Sequence, residues 1–487
     1  MQIWLNVEII KPSRKGIFLQ ALDSEVLYHT SMLIKSDISI LKGKRIGFVT
    51  AGYAGKRFIY EKAHSLGVCI TIIDSDDSWS KSLIEEGIID HFISVDFGQD
   101  HGTLVCEIVN KLEQAGVELD GVCTFAELSL PVCAKLAQAL SLPGTDPEVV
   151  SLVRDKHRVR QVVAEAGLNE IRSYSIKSVD DLEKAAKFVG FPSVLKPVSG
   201  ADSLGVVKVS SIGELREALL QVQSVVGGLV VSSGALARCS SSESSTVSGQ
   251  QTAGKFIALD LSLEEYLNGP EVDVDLVLYQ GECAFVSVVD NGPTIEPYFS
   301  ETWNLCPSAL PADSQSLLVK EALSTVKALG FQNGVFHVEE RLTSKGPRII
   351  EVNARMGGGP IRLQHKFVYG VDLVVEQLLS AIGAPPAHVC CEPKQPGLCF
   401  ASATPNVCKS GKLSSLSFLD PLRNRSDLVG LWEFANTHEH VVGPEDGQPS
   451  WLCEYAIYGT EGSEKLLTEM LETTHNLVTD ATNNCYA

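Results

Sequence analysis

The stretch FHVEERLTSKGPRIIEVNARMGGGPIR (336–362) holds two acidic residues and an amide in an arrangement typical of a β-hairpin. Glu351 follows Glu339 by twelve residues, and Asn353 follows Glu351 by two. We predict two strands joined by a turn at 345–347, which would place all three side chains on one face because strand residues alternate between faces. Mg²⁺ prefers such oxygen ligands, with substrate phosphates completing its coordination shell. The stretch therefore indicates nucleotide-dependent chemistry, although an exposed polar hairpin is a structural alternative.

The composition favours a globular protein that does not bind nucleic acid. The chain has 487 residues, a formal net charge of −20 and 44% hydrophobic residues, whereas nucleic-acid binders need clustered Lys and Arg. The 13 cysteines form no C-x-x-C motif, which disfavours a structural zinc site. No run approaches the roughly 18 apolar residues that cross a membrane. We therefore expect a cytoplasmic enzyme without membrane or nucleic-acid partners, and homo-oligomer formation stays open.

The first third of the chain alternates strand and helix patterns after an N-terminal segment (1–40). Strand and helix patterns in the order βαβ predict a parallel sheet. We therefore predict a doubly wound α/β domain at 41–150. The predicted elements are a strand at 42–52, a helix at 56–66, and strands at 68–73 and 121–125, followed by a helix at 130–140.

The middle of the chain predicts a second, larger α+β domain at 151–383, built from two subdomains. Asp155 and Lys156 open a helix, and the strand 191–198 leads into the glycine- and serine-rich turn 199–205. A small subdomain at about 186–260 would contain this turn and the serine-rich stretch 232–254 as candidate mobile lids. Pro385-Pro386 marks a predicted boundary, followed by a β-rich C-terminal portion (384–487).

Three further groups of residues suggest chemistry, each with a plain structural alternative. Lys196 precedes the glycine turn, where Gly200 and Gly205 would let the backbone approach phosphate groups, or it is an ordinary solvated lysine. A polar hinge holding Glu264, Glu265 and Leu267 precedes Glu271 and could contact a nucleotide, or it is a turn with solvated acids. Arg355 and the glycines at 357–359 could bind a carboxylate or stabilise an oxyanion, or Arg355 forms a structural salt bridge.

The order of these groups resembles that of the ATP-grasp superfamily of carboxylate–amine ligases, over about 150–383. Four stretches in particular are similar to the carnosine synthase family, and bacterial L-amino-acid ligases that make dipeptides are similar too. These stretches are TAGYAGKRFIYEKAHSLG (50–67), EEYLNGPEVDVD (264–275), GVFHVEE (334–340) and EVNARMGGGPIR with VYGVDLV (351–362 and 368–374). Animal carnosine synthases are longer at the N-terminus, so the chain would match their catalytic half.

The resemblance implies roles for residues that match the superfamily's motifs. Lys156 and Lys196 would bind the phosphates of ATP, with Gly200 and Gly205 in the loop beside them. Glu264 and Leu267 would contact adenine, and Glu271 the ribose. Two Mg²⁺ or Mn²⁺ ions would bind Glu339, Glu351 and Asn353. Arg355 would stabilise the reacting acyl group. Glu301 would meet a substrate amino group, whereas Asn304 departs from the histidine of the bacterial ligases.

The resemblance also implies a reaction. ATP would phosphorylate a carboxylate, and an amine would attack the acyl phosphate, which gives an amide, ADP and phosphate. The expected substrates are ATP with β-alanine, or a related ω-amino acid, and L-histidine. The alternatives are a ligase for another amino-acid pair or a natural-product amide, and a nucleotide-binding protein that has lost catalysis.

Overall fold

The computed structural model describes residues 35–198, 205–227, 229–232, 235–238, 251–252, 261–389 and 393–484. Residues 1–34 of the predicted N-terminal segment lie outside this part. So do Gly200 and most of the two predicted lid stretches, 199–205 and 232–254. Within the described part, no helix has the length and apolar composition needed to cross a bilayer.

The N-terminal domain is a four-stranded parallel sheet in the order β3-β2-β1-β4, with apolar clusters on both faces. Ile46 and Phe48 pack into one cluster and Val49 into the other, because strand side chains alternate. The predicted doubly wound arrangement is confirmed. The elements are β1 (Arg45–Val49), α1 (Arg57–Ser65), β2 (Cys69–Asp74), β3 (His91–Ser94), α2 (His101–Gln114), β4 (Gly121–Cys123) and α3 (Leu130–Ala139).

A small antiparallel sheet follows, in the order β5-β11-β6-β7, and β8 to β10 form a separate three-stranded sheet. The helix α6 buries Leu182, Ala185 and Val189 against the small sheet, at the spacing of one helical face. The elements are α4 (Pro147–Val153), α5 (Lys156–Glu165), β5 (Ser173–Ile176), α6 (Leu182–Val189), β6 (Ser193–Pro197), β7 (Val207–Val209), α7 (Ile212–Gly227), β8 (Leu229–Ser232), β9 (Ala235–Arg238), β10 (Gln251–Thr252) and β11 (Leu261–Glu265).

The next elements begin an eight-stranded antiparallel sheet in the order β16-β15-β12-β13-β14-β17-β21-β19. The predicted hairpin is present, but its turn is Ser344–Lys345 rather than 345–347. Gly346 already pairs with Thr343, whose hydroxyl donates to the Gly346 carbonyl at 2.7 Å. The elements are β12 (Glu271–Tyr279), β13 (Glu282–Asn291), β14 (Trp303–Cys306), α8 (Ala312–Ala328), β15 (Gly334–Thr343), β16 (Gly346–Asn353), α9 (Ile361–Val368) and α10 (Leu373–Ala381).

The C-terminal portion adds three strands to this sheet, so hydrogen bonding continues across the boundary predicted at 383. The β-rich prediction for 384–487 missed the 22-residue helix α12, which buries Leu466, Met470 and Leu477 at helical spacing. The division into four segments stays a prediction. The elements are β17 (Cys399–Ala403), β18 (Gly411–Lys412), α11 (Asp420–Arg423), β19 (Leu428–Glu433), β20 (His440–Val441), β21 (Cys453–Gly459) and α12 (Ser463–Asn484).

The two faces of the large sheet differ in chemistry. One face packs an apolar cluster with α8, through residues such as Val274, Val338 and Leu318. The opposite face, which we call the site face, carries Asp273 and Glu339 and shares its apolar cluster with the N-terminal domain. The predicted polar residues therefore lie between the two domains.

Candidate active site

The hairpin β15–β16 places the predicted metal ligands together on the site face. Glu339 and Glu351 are directly opposite each other in register, and Asn353 is opposite His337. Directly opposed residues of an antiparallel pair have Cβ atoms about 5 Å apart. The Asn353 amide donates to Glu339 Oε1 at 3.3 Å. The predicted common face is thus present.

The electrostatics of Glu339 and Glu351 suit a bound cation. Burial and the charge of Glu351 raise the pKa of Glu339 to about 8. Burial opposes ionisation of Glu351 too, but Lys156, whose Nζ donates to Glu351 Oε1 at 2.7 Å, lowers the pKa of that carboxyl. No group of three or more His, Cys, Asp or Glu in the described ranges is arranged to hold a metal. The side-chain oxygens of Glu339, Glu351 and Asn353 are hard ligands, and they fit a divalent ion whose coordination shell is completed by substrate oxygens.

A second ionic network joins the small sheet to α5. Glu264 accepts from Lys196 Nζ at 2.6 Å and from Arg160 at 3.0 and 3.2 Å. Burial alone would raise the pKa of Glu264, but the charges of Arg160 and Lys196 lower it to about 2. Sequence reasoning missed Arg160, although it lies one helical turn after Lys156 on α5.

The predicted hinge is shorter than expected. Glu264 and its neighbour Glu265 lie in β11 and pair with β6, so the hinge comprises only 266–270. Glu264 is 4% exposed and bonded to Lys196 and Arg160, so its predicted placement in the hinge is wrong, and so is the alternative of a solvated acid. The adenine contact proposed for it stays a prediction.

Leu267 and Glu271 meet around an arginine that the sequence analysis missed. Arg341 donates to the Glu271 carboxylate at 2.7 and 3.0 Å and to the Leu267 carbonyl at 3.3 Å. Arg341 is the register partner of Glu271 and follows Glu339 by two residues on β15. Gly205 has a φ of 77° and lies against Pro197, beside Lys196. Among the described residues, the predicted nucleotide contacts therefore lie on the small sheet, on α5, in the hinge and at the start of β12, whereas Gly200 lies outside the described ranges.

Arg355 connects the hairpin to the N-terminal domain. Its Nε donates to Glu127 Oε2 at 2.8 Å, and Arg154 approaches the other oxygen of Glu127 at 3.4 Å. Glu127 was missed because no local motif surrounds it. It does follow β4, however, and ligands of parallel α/β sheets bind beyond the carboxyl ends of the strands. The position of Glu127 after β4 was therefore the signal that could have identified it as a candidate site residue.

Further polar side chains lie along the site face, on the strands beyond Glu339 and Glu351. The Asn291 amide donates to Asp273 Oδ1 at 2.8 Å, and the Asn304 amide donates to Asn291 Oδ1. The Ser402 hydroxyl donates to Asn304 Oδ1 at 3.4 Å. The hydrogen-bonded row therefore runs from Asp273 on β12, the register partner of Glu339, to Ser402 on β17.

Glu301 lies near the far end of this row. It is exposed, and the Asn406 amide donates to its backbone carbonyl at 2.8 Å. Burial and the charge of Glu301 raise the pKa of Glu454 to about 7. A Cβ at Gly359 would lie 3.0 Å from Glu454 Oε1, so the glycine run approaches this second acid. Glu454 was also missed.

A buried charged network supports the middle of the site face. Asp275 accepts from His337 Nδ1 at 2.9 Å and from His365 Nε2 at 2.7 Å, with all three buried. Burial would lower the pKa of His337, but Asp273 and Asp275 raise it to about 10. The two histidines also lower the pKa of Asp275 against the effect of burial.

Comparison with known proteins agrees with this architecture. A model of the ATP-grasp N-terminal domain matches residues 60–144, and one of the ATP-grasp domain matches 235–362. Carnosine synthase 1 of Gallus gallus is 31% identical over 408 residues, which cover 80% of this chain and 41% of the relative. The chain thus spans less than half of the carnosine synthases that it matches.

Two bacterial proteins extend the comparison. The alanine–anticapsin ligase of Bacillus subtilis (strain 168) is 25% identical over 291 residues, which cover 57% of each chain. The crystal structure of an L-amino acid ligase from Bacillus licheniformis matches with a TM-score of 0.70 and 22% identity, over 89% of this chain and 98% of that one. The predicted fold and resemblance are confirmed, and the chain contains an ATP-grasp N-terminal domain and an ATP-grasp domain.

Proposed function

We propose that this chain is an ATP-dependent, ADP-forming carboxylate–amine ligase that makes a dipeptide through an acyl phosphate. The observation that carries the proposal is the convergence on one sheet face of Glu339, Glu351 and Asn353 with Lys156 and Arg355. Carnosine synthase 1 and alanine–anticapsin ligase, which the chain resembles, are named for joining reactions. Their similarity supports this class of chemistry.

The first step would transfer the γ-phosphoryl group of ATP to a substrate carboxylate. Two Mg²⁺ or Mn²⁺ ions held by Glu339, Glu351 and Asn353 would offset the negative charge of the transferring group. Lys156 and Lys196 would hold the phosphates. Glu264 keeps the buried Lys196 in place through the 2.6 Å ion pair, so this lysine is oriented before the nucleotide arrives.

The second step would form the amide. The substrate amine adds to the acyl carbon and forms the C–N bond of a tetrahedral oxyanion. The oxyanion then re-forms the carbonyl as the C–O bond to phosphate breaks, and phosphate leaves with a proton from the amine. Arg355, held by Glu127, and the N–H groups of 357–359 would stabilise the oxyanion. Glu301 would bind a substrate amino group.

The finer proposal concerns the substrates. Similarity to carnosine synthase 1 supports β-alanine, or a related ω-amino acid, and L-histidine. A second candidate is a ligase for another amino-acid pair, which similarity to the alanine–anticapsin ligase favours.

The test is phosphate release with ATP, Mg²⁺ and pairs of amino acids, with products identified by mass. We expect phosphate and a dipeptide in equal amounts with at least one pair. Glu351→Ala should abolish both while circular dichroism shows a folded protein. The exposed Glu433→Ala, on β19, is the matched control and should keep full activity. ATP binding without phosphate release from any pair would instead identify a non-catalytic nucleotide-binding protein. Full activity of Glu351→Ala would refute the metal assignment.

A further inference from the structure

The glycine run that follows Arg355 rests on a histidine ring. A Cβ placed at Gly357 would lie 2.8 Å from His337 Nδ1 and 2.9 Å from Ile361 Cγ1. Any side chain at this position would therefore push the run off the ring. His337 thus limits how closely Gly357, the first residue of the run, approaches the sheet.

The ring itself has little freedom to move. His337 Nδ1 is 2.9 Å from Asp275 Oδ1, and the other oxygen of Asp275 is 2.7 Å from His365 Nε2. His365 belongs to α9, which begins at Ile361, so one carboxylate holds both the ring beside Gly357 and the helix that follows the glycine run. Asp275 is completely buried and cannot exchange these partners for water.

His337 also belongs to the hairpin β15–β16, which carries the predicted metal ligands. It is the register partner of Asn353 and precedes Glu339 by two residues on the same strand. The ring therefore lies between the residues proposed for phosphoryl transfer and the backbone proposed for acyl transfer. A fixed ring would keep these two parts of the site at a constant separation.

We propose that His337 is a positioning residue for amide formation, fixed by Asp275 and His365 so that the N–H groups of 357–359 meet the acyl oxygen. The proposal rests on the proposed ligase function. Loss of the ring would slow attack by the amine more than formation of the acyl phosphate. Water would then attack the same carbon, release phosphate and regenerate the donor carboxylate, so ADP would form without dipeptide.

The test measures ADP and dipeptide in the same reaction. His337→Ala should lower the dipeptide rate about 10- to 100-fold, because a displacement of about 1 Å at a reacting centre can cost that much. The ratio of ADP to dipeptide should rise severalfold above that of the wild-type protein. His337→Asn, which can still donate to Asp275, should restore part of the coupling.

Gly357→Ala provides a second route to the same displacement and leaves the buried network complete. It should raise the ratio as His337→Ala does, whereas His475→Ala, an exposed histidine on α12, should change nothing. A ratio that stays at the wild-type value in both His337→Ala and Gly357→Ala would overturn the proposal, even if total activity fell. Absence of dipeptide from the wild-type protein with every pair would overturn the ligase function itself.

Discussion

Substitution of Glu264 by Gln should destabilise the protein strongly, because it removes the negative charge that two buried cations share. Lys196 and Arg160 lie 2.6 and 3.0 Å from the carboxylate, and all three side chains are about 95% buried. Removing one member of a buried ion pair typically costs about 3–5 kcal/mol, since the remaining charge stays desolvated.

The pKa of Glu264 gives a second estimate of the stability that Glu264→Gln should lose. A fall from 4.5 to about 2 corresponds to about 3 kcal/mol of stabilisation at 1.36 kcal/mol per pKa unit. Because the folded pKa is the lower one, this stabilisation is complete above the unfolded value and disappears as the pH falls through the folded one. The difference between wild type and Glu264→Gln should therefore be constant from neutral pH down to about pH 5 and shrink below that.

The assay is urea unfolding of both proteins at pH 7 and pH 4, followed by circular dichroism. The matched control is Glu265→Gln, since this neighbouring carboxylate pairs with Arg172, which is 55% exposed, and surface pairs contribute at most about 1 kcal/mol. We expect a loss of about 3 kcal/mol for Glu264→Gln at pH 7 and a smaller loss at pH 4. If Glu264→Gln cost no more than Glu265→Gln at pH 7, the network would not stabilise the fold as argued.

Three further predictions concern the domain contact and the chemistry. Gly121→Ala should lower the free energy of unfolding by about 1–3 kcal/mol, because its Cβ would overlap the Ala381 carbonyl. The control, Gly213→Ala at an exposed position of α7, should leave the free energy of unfolding unchanged. Equal melting temperatures of the two variants would contradict this prediction. Arg355→Lys should reduce kcat/KM for ligation about 100-fold with little change in melting temperature. The reason is that lysine cannot reproduce the planar guanidinium group that Glu127 holds. Full activity of this variant would exclude the proposed role of Arg355 in stabilising the oxyanion. Chelation by EDTA should stop phosphate release, and added Mg²⁺ or Mn²⁺ should restore it; a rate unaffected by EDTA would rule out the metal site.

Much of the site was predictable because its residues lie in strands with regular alternation. Glu351 and Asn353 share a face for that reason, whereas Glu339 comes to lie opposite Glu351 through a register irregularity between Glu339 and Glu340 that the sequence analysis did not predict. The cap of α5 was equally local, since Asp155 accepts from the next turn's backbone N–H groups.

Residues that were missed are those whose partners are far away in the chain. Glu127 meets Arg355 across 228 positions, and Arg160 meets Glu264 across 104. Glu454 approaches Gly359 only because β21 joins a sheet that begins with β12. No period or motif encodes such contacts. The hinge was misjudged for a similar reason, because pairing of β11 with β6 buries an acid that local composition suggested was solvated.

The sequence by itself determined the alternating strands, the helix caps and the order of the charged residues, since these depend on neighbours a few positions apart. Only the tertiary structure decided which charges compensate one another. Lys156 pairs with Glu351 and Lys196 with Glu264, although both lysines precede both acids in the chain. The free energy of a buried charge depends on what surrounds it in space, and the packing of sheets and domains creates those surroundings.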